Sequence, residues 1–347
     1  MKKNHHYHPL LGRLIGRCTC SLSSHGCCLF SLNSSEVVKA LLTSMSLLVA
    51  GATGAIGRCV VRNALQRKEF TRVVALTRRG TEEDPKAHFG LSLAESDSSV
   101  VSAEPKEGSS VVTAEQLSRL QPVTFDWEAF CGFWERRHCS RAVTHPEKNN
   151  VEAADEDSGE FYRKLFTGHT YVAMCLGTTR RDAGSAANFM RCDYDYVVAF
   201  AQAVQVFSGN DLRCFAQVSA QMANKNSWFL YPQTKGRADF AVEELKMPRL
   251  CIYRPGLLDR GEKTRTVEKI AKWFVSAIPV ETCGRAIVRD FLHCSGGHDA
   301  VHSEECRHLP CAGRKGSAPS HSGEIYYFDN SDIVKESSAL LEDISPQ

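Results

Sequence analysis

The stretch Leu47-Leu48-Val49-Ala50-Gly51-Ala52-Thr53-Gly54-Ala55-Ile56-Gly57-Arg58 decides the fold. Apolar residues suited to a buried strand run straight into glycines spaced three apart. Ile56, Val60, Val61, Ala64 and Leu65 then recur at helical intervals. Strand, glycine turn and helix in that order form the phosphate-binding βα unit of a Rossmann sheet. Gly51 suits the tight turn, Gly54 leaves room for a pyrophosphate against the backbone, and Gly57 lets the helix pack closely. The N–H groups of Thr53, Gly54, Ala55 and Ile56, at the positive end of the helix dipole, are placed to hold the anion.

Working outward, Val73–Thr77 reads as the second strand. At its end an acid usually grips the ribose hydroxyl of NAD. This chain has Thr77-Arg78-Arg79-Gly80 instead. Two guanidiniums with paired N–H donors suit the 2′-phosphate of NADP(H). Further strands are expected at Pro122–Phe125, Tyr171–Leu176, Cys214–Val218 and Leu250–Tyr253. Helices are expected at Trp127–Glu135, Ala187–Phe207 and Tyr231–Leu245. The alternation predicts an α/β fold, a doubly wound and mostly parallel sheet in one domain with surface insertions. Ligands of such sheets lie at the carboxyl ends of the strands, where Gly51, Arg78, Asp126, Gly177, Ser219 and Pro255 fall.

The chain has 347 residues, 43% of them hydrophobic, enough for a full-sized core. A formal net charge of only +2 gives no bulk signal for nucleic acid. No apolar run approaches the roughly 18 residues of a membrane span. The 15 cysteines are scattered, and Cys175, Cys214 and Cys251 sit inside apolar strands. Thiols used as small hydrophobes beside a nucleotide fold indicate a reducing compartment, the cytoplasm.

Residues 1–44 are basic and contain no acid before Glu36. Such a segment resembles an organelle transit peptide, or else it is an extension or disordered tail outside a domain that starts near Met45. The domain is expected to run from 45 to 335, with a C-terminal tail over 336–347. Segments at about 80–115, 137–160 and 294–322 are charged or rich in Ser, Gly and His, and read as inserted loops. His298, His302, Cys306, His308 and Cys311 fall in the last of these without the paired spacing of a zinc site. No metal is assigned.

Tyr231-Pro232-Gln233-Thr234-Lys235 places Tyr and Lys four apart, on one face of a helix. An ammonium beside a phenol favours the phenolate, so this pair can exchange a proton near neutrality. Ser219 ends the preceding strand, where its hydroxyl can meet a carbonyl oxygen.

These residues carry a resemblance. The chain is similar to the short-chain dehydrogenase/reductases, and more closely to the atypical branch of the Tat-interacting tumour-suppressor oxidoreductase and its fungal mitochondrial relatives. The stretches concerned are Gly51–Gly57, Phe166–His169 through Cys175–Arg180, Asp193–Val197, Ser227–Gly236 and Tyr253–Gly256. They cover about residues 45–335 apart from the insertions.

The resemblance implies that Gly51, Gly54 and Gly57 contact the dinucleotide phosphates and that Arg78 and Arg79 hold the adenosine phosphate. Asp126 would lie by the adenine, Gly177 and Thr178 along the cofactor path, and Pro255 and Gly256 beside the nicotinamide. Tyr231 would be the proton donor. Lys235 would bind the nicotinamide ribose, and Ser219 would orient the substrate. Two positions depart from the pattern: Ala220 stands where relatives often carry a second Ser, and Asp193 where members of the wider superfamily often place Asn. Both weaken proton relay and leave cofactor binding intact.

Two functions follow as expectations. One is an NADP(H)-dependent oxidoreductase acting on a small-molecule carbonyl or alcohol. The other is an NADPH-sensing regulatory protein that works through protein partners. The resemblance to the fungal relatives also implies mitochondrial association. Nothing in the sequence sets the oligomeric state or the substrate.

Overall fold

The computed structural model describes residues 45–80, 84–94, 110–139, 152–259, 277–296, 313–316 and 323–342. The tail over 1–44 and most of the three expected insertions lie outside the described residues, as does the loop set His298, His302, Cys306, His308 and Cys311.

The first unit matches its sequence reading. Strand β1 (Met45–Ala50) leads through the glycine turn into helix α1 (Ala55–Leu65), and β2 (Phe70–Thr77) follows. The short strands β3 (Leu91–Leu93) and β4 (Ser110–Val112) come next and form a separate pair, followed by β5 (Leu120–Thr124) and α2 (Trp127–Cys139). Helix α3 (Glu152–Phe166) leads to β6 (Tyr171–Met174), and α4 (Tyr196–Ser208) to β7 (Cys214–Val218). Helix α5 (Leu230–Glu243) precedes β8 (Arg249–Tyr253) and the short β9 (Leu258–Asp259). After β10 (Ile278–Pro279) come α6 (Val280–Gly296), β11 (Arg314–Lys315), β12 (Glu324–Phe328) and α7 (Asn330–Glu342).

Eight strands form the main sheet in the order β11-β12-β8-β7-β6-β1-β2-β5. All of its pairings are parallel except β11 on β12. The order reverses at β1, between β2 and β6, and in such sheets that reversal opens a crevice at the strand ends.

Alternation along the strands builds two apolar layers. Leu47, Val49, Val73, Ala75, Tyr171, Ala173 and Cys251 face α1, α6 and α7. Leu48, Val74, Val172, Phe215 and Ile252 face the opposite side. There they meet a group of aromatic side chains, with Phe125, Phe130, Tyr162 and Phe166 packed edge to face or tilted at centroid distances of 5.1–6.1 Å. Parallel strands covered on both faces read as continuous apolar runs, which is why they were readable from composition alone.

Three expectations need correction, and a fourth gains a detail. The segment 80–115 is not all surface loop: β3 and β4 pair in parallel, and Phe89, Leu91 and Val112 are buried in the core. Helix α3 begins inside the expected loop at 137–160. The expected helix Ala187–Phe207 is present as an uninterrupted helical run from Ala186 to Ser208, which widens to a π-turn at Arg191–Asp195 before α4. The C-terminal helix α7 runs on to Glu342, past the boundary expected at 335, because Ile333, Glu336, Ser337 and Leu340 are buried against the domain.

Candidate functional site

The cleft is built at the ends of β1 and β6. Gly51 takes φ +69°, and a Cβ there would stand 2.7 Å from Leu176 N and 2.8 Å from Cys175 C. Only glycine lets the turn after β1 lie against the chain leaving β6. The Gly54 N–H donates to the Gly51 carbonyl at 2.9 Å and closes the turn. Gly57 sits where a Cβ would overlap the Gly51 carbonyl oxygen and approach Ala52 Cα to 2.9 Å.

Gly54 caps α1 with no side-chain hydrogen bond, and the first turn carries no acid. The first N–H groups of a helix have no partner within it. Here nothing from the helix itself covers them, and Thr53 and Gly54 are exposed. A Cβ at Gly54 would meet only the Gly51 oxygen, at 3.0 Å. This open, donor-lined, acid-free cradle fits the pyrophosphate of a dinucleotide.

The other residues expected to bind follow the carboxyl ends of β2, β5 and β8. Arg78 and Arg79 are exposed at the end of β2 and form no ion pair among the described residues. Asp126 is also exposed, and its Oδ1 accepts from the N–H groups of Glu128 and Ala129 at 2.9 and 3.0 Å. It therefore caps α2, a structural duty the sequence reading did not assign. At the far end, the Gly256 N–H donates to Asn330 Oδ1 at 2.8 Å and Pro255 is buried. That ties the end of β8 to the start of α7.

Lys235 enters the same cleft from α5. Its Nζ donates to Asp193 Oδ1 and to the Val218 carbonyl, both at 3.4 Å, and a Cβ on Gly177 would stand 3.7 Å from it. Asp193 is turned inward by the π-turn, and its Oδ2 accepts from Thr178 N at 2.8 Å. Single π-turns of this kind often occur at functional sites. Burial pushes the Asp193 carboxyl above the ordinary carboxylate range, opposed by Lys235 and the Thr178 N–H. Burial pulls Lys235 down, but Asp193, Tyr231 and Asp239 outweigh it and hold the ammonium above its ordinary value.

Ser219 and Tyr231 are placed differently from one another. Ser219 is buried, and its Oγ donates to Asp239 Oδ2 at 2.9 Å. Asp239 also accepts from Gln217 Nε2 at 2.8 Å and from Arg254 Nη2 at 2.9 Å. The hydroxyl proton of Ser219 is thus committed inward, and its lone pairs remain for a ligand. Tyr231 is 44% exposed, and its ring stacks on Phe189 at 5.7 Å. Trp228 stands almost wholly in solvent, and Phe229 and Met222 are also exposed.

Asp239 was missed from sequence, although a signal was present. It follows Lys235 by four residues and Tyr231 by eight, on the same helical face.

No family model matches the chain. It is 38% identical over 173 residues to protein HTATIP2 of Rattus norvegicus, a match spanning 45% of this chain and 69% of that protein. It is 36% identical over 145 residues to the mitochondrial protein FMP52-2 of Scheffersomyces stipitis, spanning 39% of this chain and 62% of the relative. Among solved structures it is similar to a short-chain dehydrogenase from Burkholderia cenocepacia in complex with NADP. The identity there is 14% and the TM-score 0.46, over 88% of this chain and 99% of that one.

Proposed function

The chain belongs to the HTATIP2 family, and from that premise we propose that it is an NADP(H)-dependent oxidoreductase interconverting a small-molecule carbonyl and its alcohol. One observation carries the reading. The glycine turn, the end of β6 and the lysine of the Tyr-Lys pair converge on one cleft, with a Gly177 Cβ position 3.7 Å from Lys235 Nζ.

Gly51, Thr53, Gly54, Ala55, Ile56 and Gly57 would hold the pyrophosphate, and Gly177 and Thr178 the path toward the nicotinamide. Arg78 and Arg79 favour the phosphorylated dinucleotide, because exposed guanidiniums without an ion-pair partner match a phosphate with paired donors. Asp126 would flank the adenine from its capping position, and Pro255 and Gly256 the nicotinamide. When bound, the dinucleotide supplies or accepts the hydride.

The chain's own residues handle the proton. Tyr231 Oη delivers it to the carbonyl oxygen as the alcohol forms and removes it in the reverse direction. Lys235, held by Asp193 and the Val218 carbonyl, keeps a positive charge beside that phenol. Ser219 accepts a hydrogen bond through its lone pairs, since its own proton goes to Asp239. It therefore orients the alcohol form of the substrate better than the carbonyl form. The fungal relative carries "mitochondrial" in its name, which supports mitochondrial association.

A second reading has its own observation. Trp228 is 99% exposed in the segment leading into α5, and Phe229 and Met222 are also exposed. Large exposed apolar side chains mark binding surfaces, and they suit an NADPH-sensing regulatory protein that docks a protein partner there.

A carbonyl-substrate screen following NADPH absorbance tests the proposal, with Tyr231→Phe in parallel. Native turnover that vanishes in Tyr231→Phe while NADPH still binds supports the oxidoreductase. Equal turnover by both refutes the role of Tyr231. Absence of any turnover, with partner binding that tracks NADPH occupancy, favours the sensor.

A further inference from the structure

At the end of the sheet opposite the glycine turn, three thiols and a carboxylate meet. Cys214 opens β7, Cys251 lies in neighbouring β8, and Asp290 and Cys294 stand four apart on one face of α6. We infer that Cys214, Asp290, Cys294 and Cys251 form a tetrahedral site for a zinc-class divalent cation, independent of the dinucleotide cleft.

The geometry suits that ion. Cys214 Sγ, Cys294 Sγ and an Asp290 oxygen all lie within 4.8 Å of one another. Cys214 Sγ and Cys251 Sγ are 3.7 Å apart. A tetrahedral ion with Zn–S bonds of about 2.3 Å places two sulfurs roughly 3.8 Å apart. One edge of the tetrahedron is therefore already at its bonded length, the edges among Cys214, Cys294 and Asp290 each lie within 4.8 Å, and Cys251 completes the set by swinging from Cys214 toward the other two donors. Thiolate-rich donor sets select zinc-class ions over magnesium or calcium.

Two further features match a metal site. Asp290 is fully buried and oriented from behind, with Arg249 Nη2 donating to Oδ1 at 2.8 Å and Tyr253 Oη to Oδ2 at 3.1 Å. Partners of this type fix a ligand's orientation. Arg249 also offsets part of the negative charge of the donor set. An entry path exists as well. Cys294 is half-buried on the wall of a cavity of about 830 Å³, with Arg213, His293 and Glu324.

Burial holds the Cys214 thiol well above its ordinary range, so without a cation the cluster stays protonated and unreactive. A bound ion reverses that and ties α6 to β7 and β8.

The probe is Co²⁺, added to the reduced full-length chain under a phosphine reductant. One equivalent should bind with the ligand-field bands of a tetrahedral ion and thiolate charge-transfer absorption, and Zn²⁺ should displace it. The chain holds 15 cysteines and 13 histidines, so variants locate the signal. Cys294→Ala should abolish it, whereas Cys306→Ala/Cys311→Ala, further along the sequence, should leave it intact. Tyr253→Phe keeps the ring in place and should weaken binding about 10- to 100-fold, which a mere packing role for Tyr253 would not produce. Near-ultraviolet circular dichroism checks that each variant is folded. A Co²⁺ spectrum that persists in folded Cys294→Ala overturns the inference. So does a native protein that binds no tetrahedral Co²⁺ once reduced, and so does unchanged affinity in Tyr253→Phe.

Discussion

Replacing Gly57 and Gly132 by alanine sets one chemical change in two surroundings. In an exposed helix interior, Gly→Ala stabilises by about 0.5–1 kcal/mol. At Gly132 in α2, the new Cβ meets nothing closer than Arg136 Nη1 at 3.4 Å, the far end of a long side chain. Gly132→Ala should therefore gain that increment. At Gly57 the same methyl overlaps the Gly51 carbonyl oxygen and stands 2.9 Å from Ala52 Cα, whereas ordinary contact begins near 3.4 Å. The turn must retreat by about half an ångström or more to relieve the overlap. Overpacking of this kind costs about 1–3 kcal/mol, which cancels or exceeds the propensity gain.

The larger effect falls on the ligand. The retreat pulls the first-turn N–H groups of α1 out of line, and each charge-assisted hydrogen bond lost costs about 1.5–3 kcal/mol. NADPH affinity should fall about tenfold or more in Gly57→Ala and stay unchanged in Gly132→Ala. Thermal unfolding and calorimetric titration of both variants read the two quantities separately. A Gly57→Ala protein that binds NADPH as tightly as the native chain would refute the geometric argument for the cradle.

Two other outcomes are expected. NADPH should bind more tightly than NADH, and an Arg78→Ala/Arg79→Ala protein should lose the difference, about tenfold or more for one charge-assisted hydrogen bond. Calorimetry with both dinucleotides decides it, and equal native affinities would count against the 2′-phosphate role. Acid sensitivity should centre on His169, whose Nε2–H donates to the Leu165 carbonyl at 2.8 Å while Nδ1 accepts from Ser46 Oγ at 3.1 Å. Burial pulls its pKa from 6.5 to about 4. The unfolded chain therefore binds the extra proton first, and about 3 kcal/mol of stability is lost as pH falls from 6.5 to 4. Urea unfolding across that window should give a shallower pH slope for His169→Gln than for the native chain; parallel slopes would remove His169 as the cause.

How legible the molecule was depends on which residues carried the information. The strands of the sheet centre are apolar on both faces, so Leu47–Val49, Tyr171–Met174 and Cys214–Val218 stood out as runs. The glycine turn was legible because each glycine answers a local steric demand. Elements fixed by distant partners were harder to read. Helix α7 mixes Ser, Glu and Lys with few apolar residues, and it is helical in place because Arg289 reaches Glu336 at 2.7 Å and Arg285 reaches Ser337 at 3.0 Å. The π-turn is invisible to periodicity, since one extra residue in a turn barely alters the pattern. Ser219 looked like a free hydroxyl because its acceptor, Asp239, lies 20 residues on.

That buried chain of charges also governs which variants can test catalysis. Asp193, Lys235, Asp239 and Arg254 alternate in sign beneath the cleft. They are joined to the sheet through Thr178 N, the Val218 carbonyl and Ser219. Removing one partner from a buried pair costs about 3–5 kcal/mol, because the other charge is left without compensation. Lys235→Ala strands Asp193, which is 1% exposed, so its lost turnover would mix chemistry with instability. Tyr231 makes no hydrogen bond to a described residue and only stacks on Phe189, so Tyr231→Phe should leave the unfolding midpoint within about 0.5 kcal/mol of native. The pair Lys235→Ala/Asp193→Ala should recover much of the stability lost in Lys235→Ala, since no buried charge is then orphaned. It should not recover turnover. Chemical denaturation and the NADPH assay on all four proteins measure both. Equal destabilisation in the single and double lysine variants would show that an orphaned Asp193 charge is not what destabilises Lys235→Ala. Turnover restored in the double variant would remove Lys235 from the proton-transfer machinery.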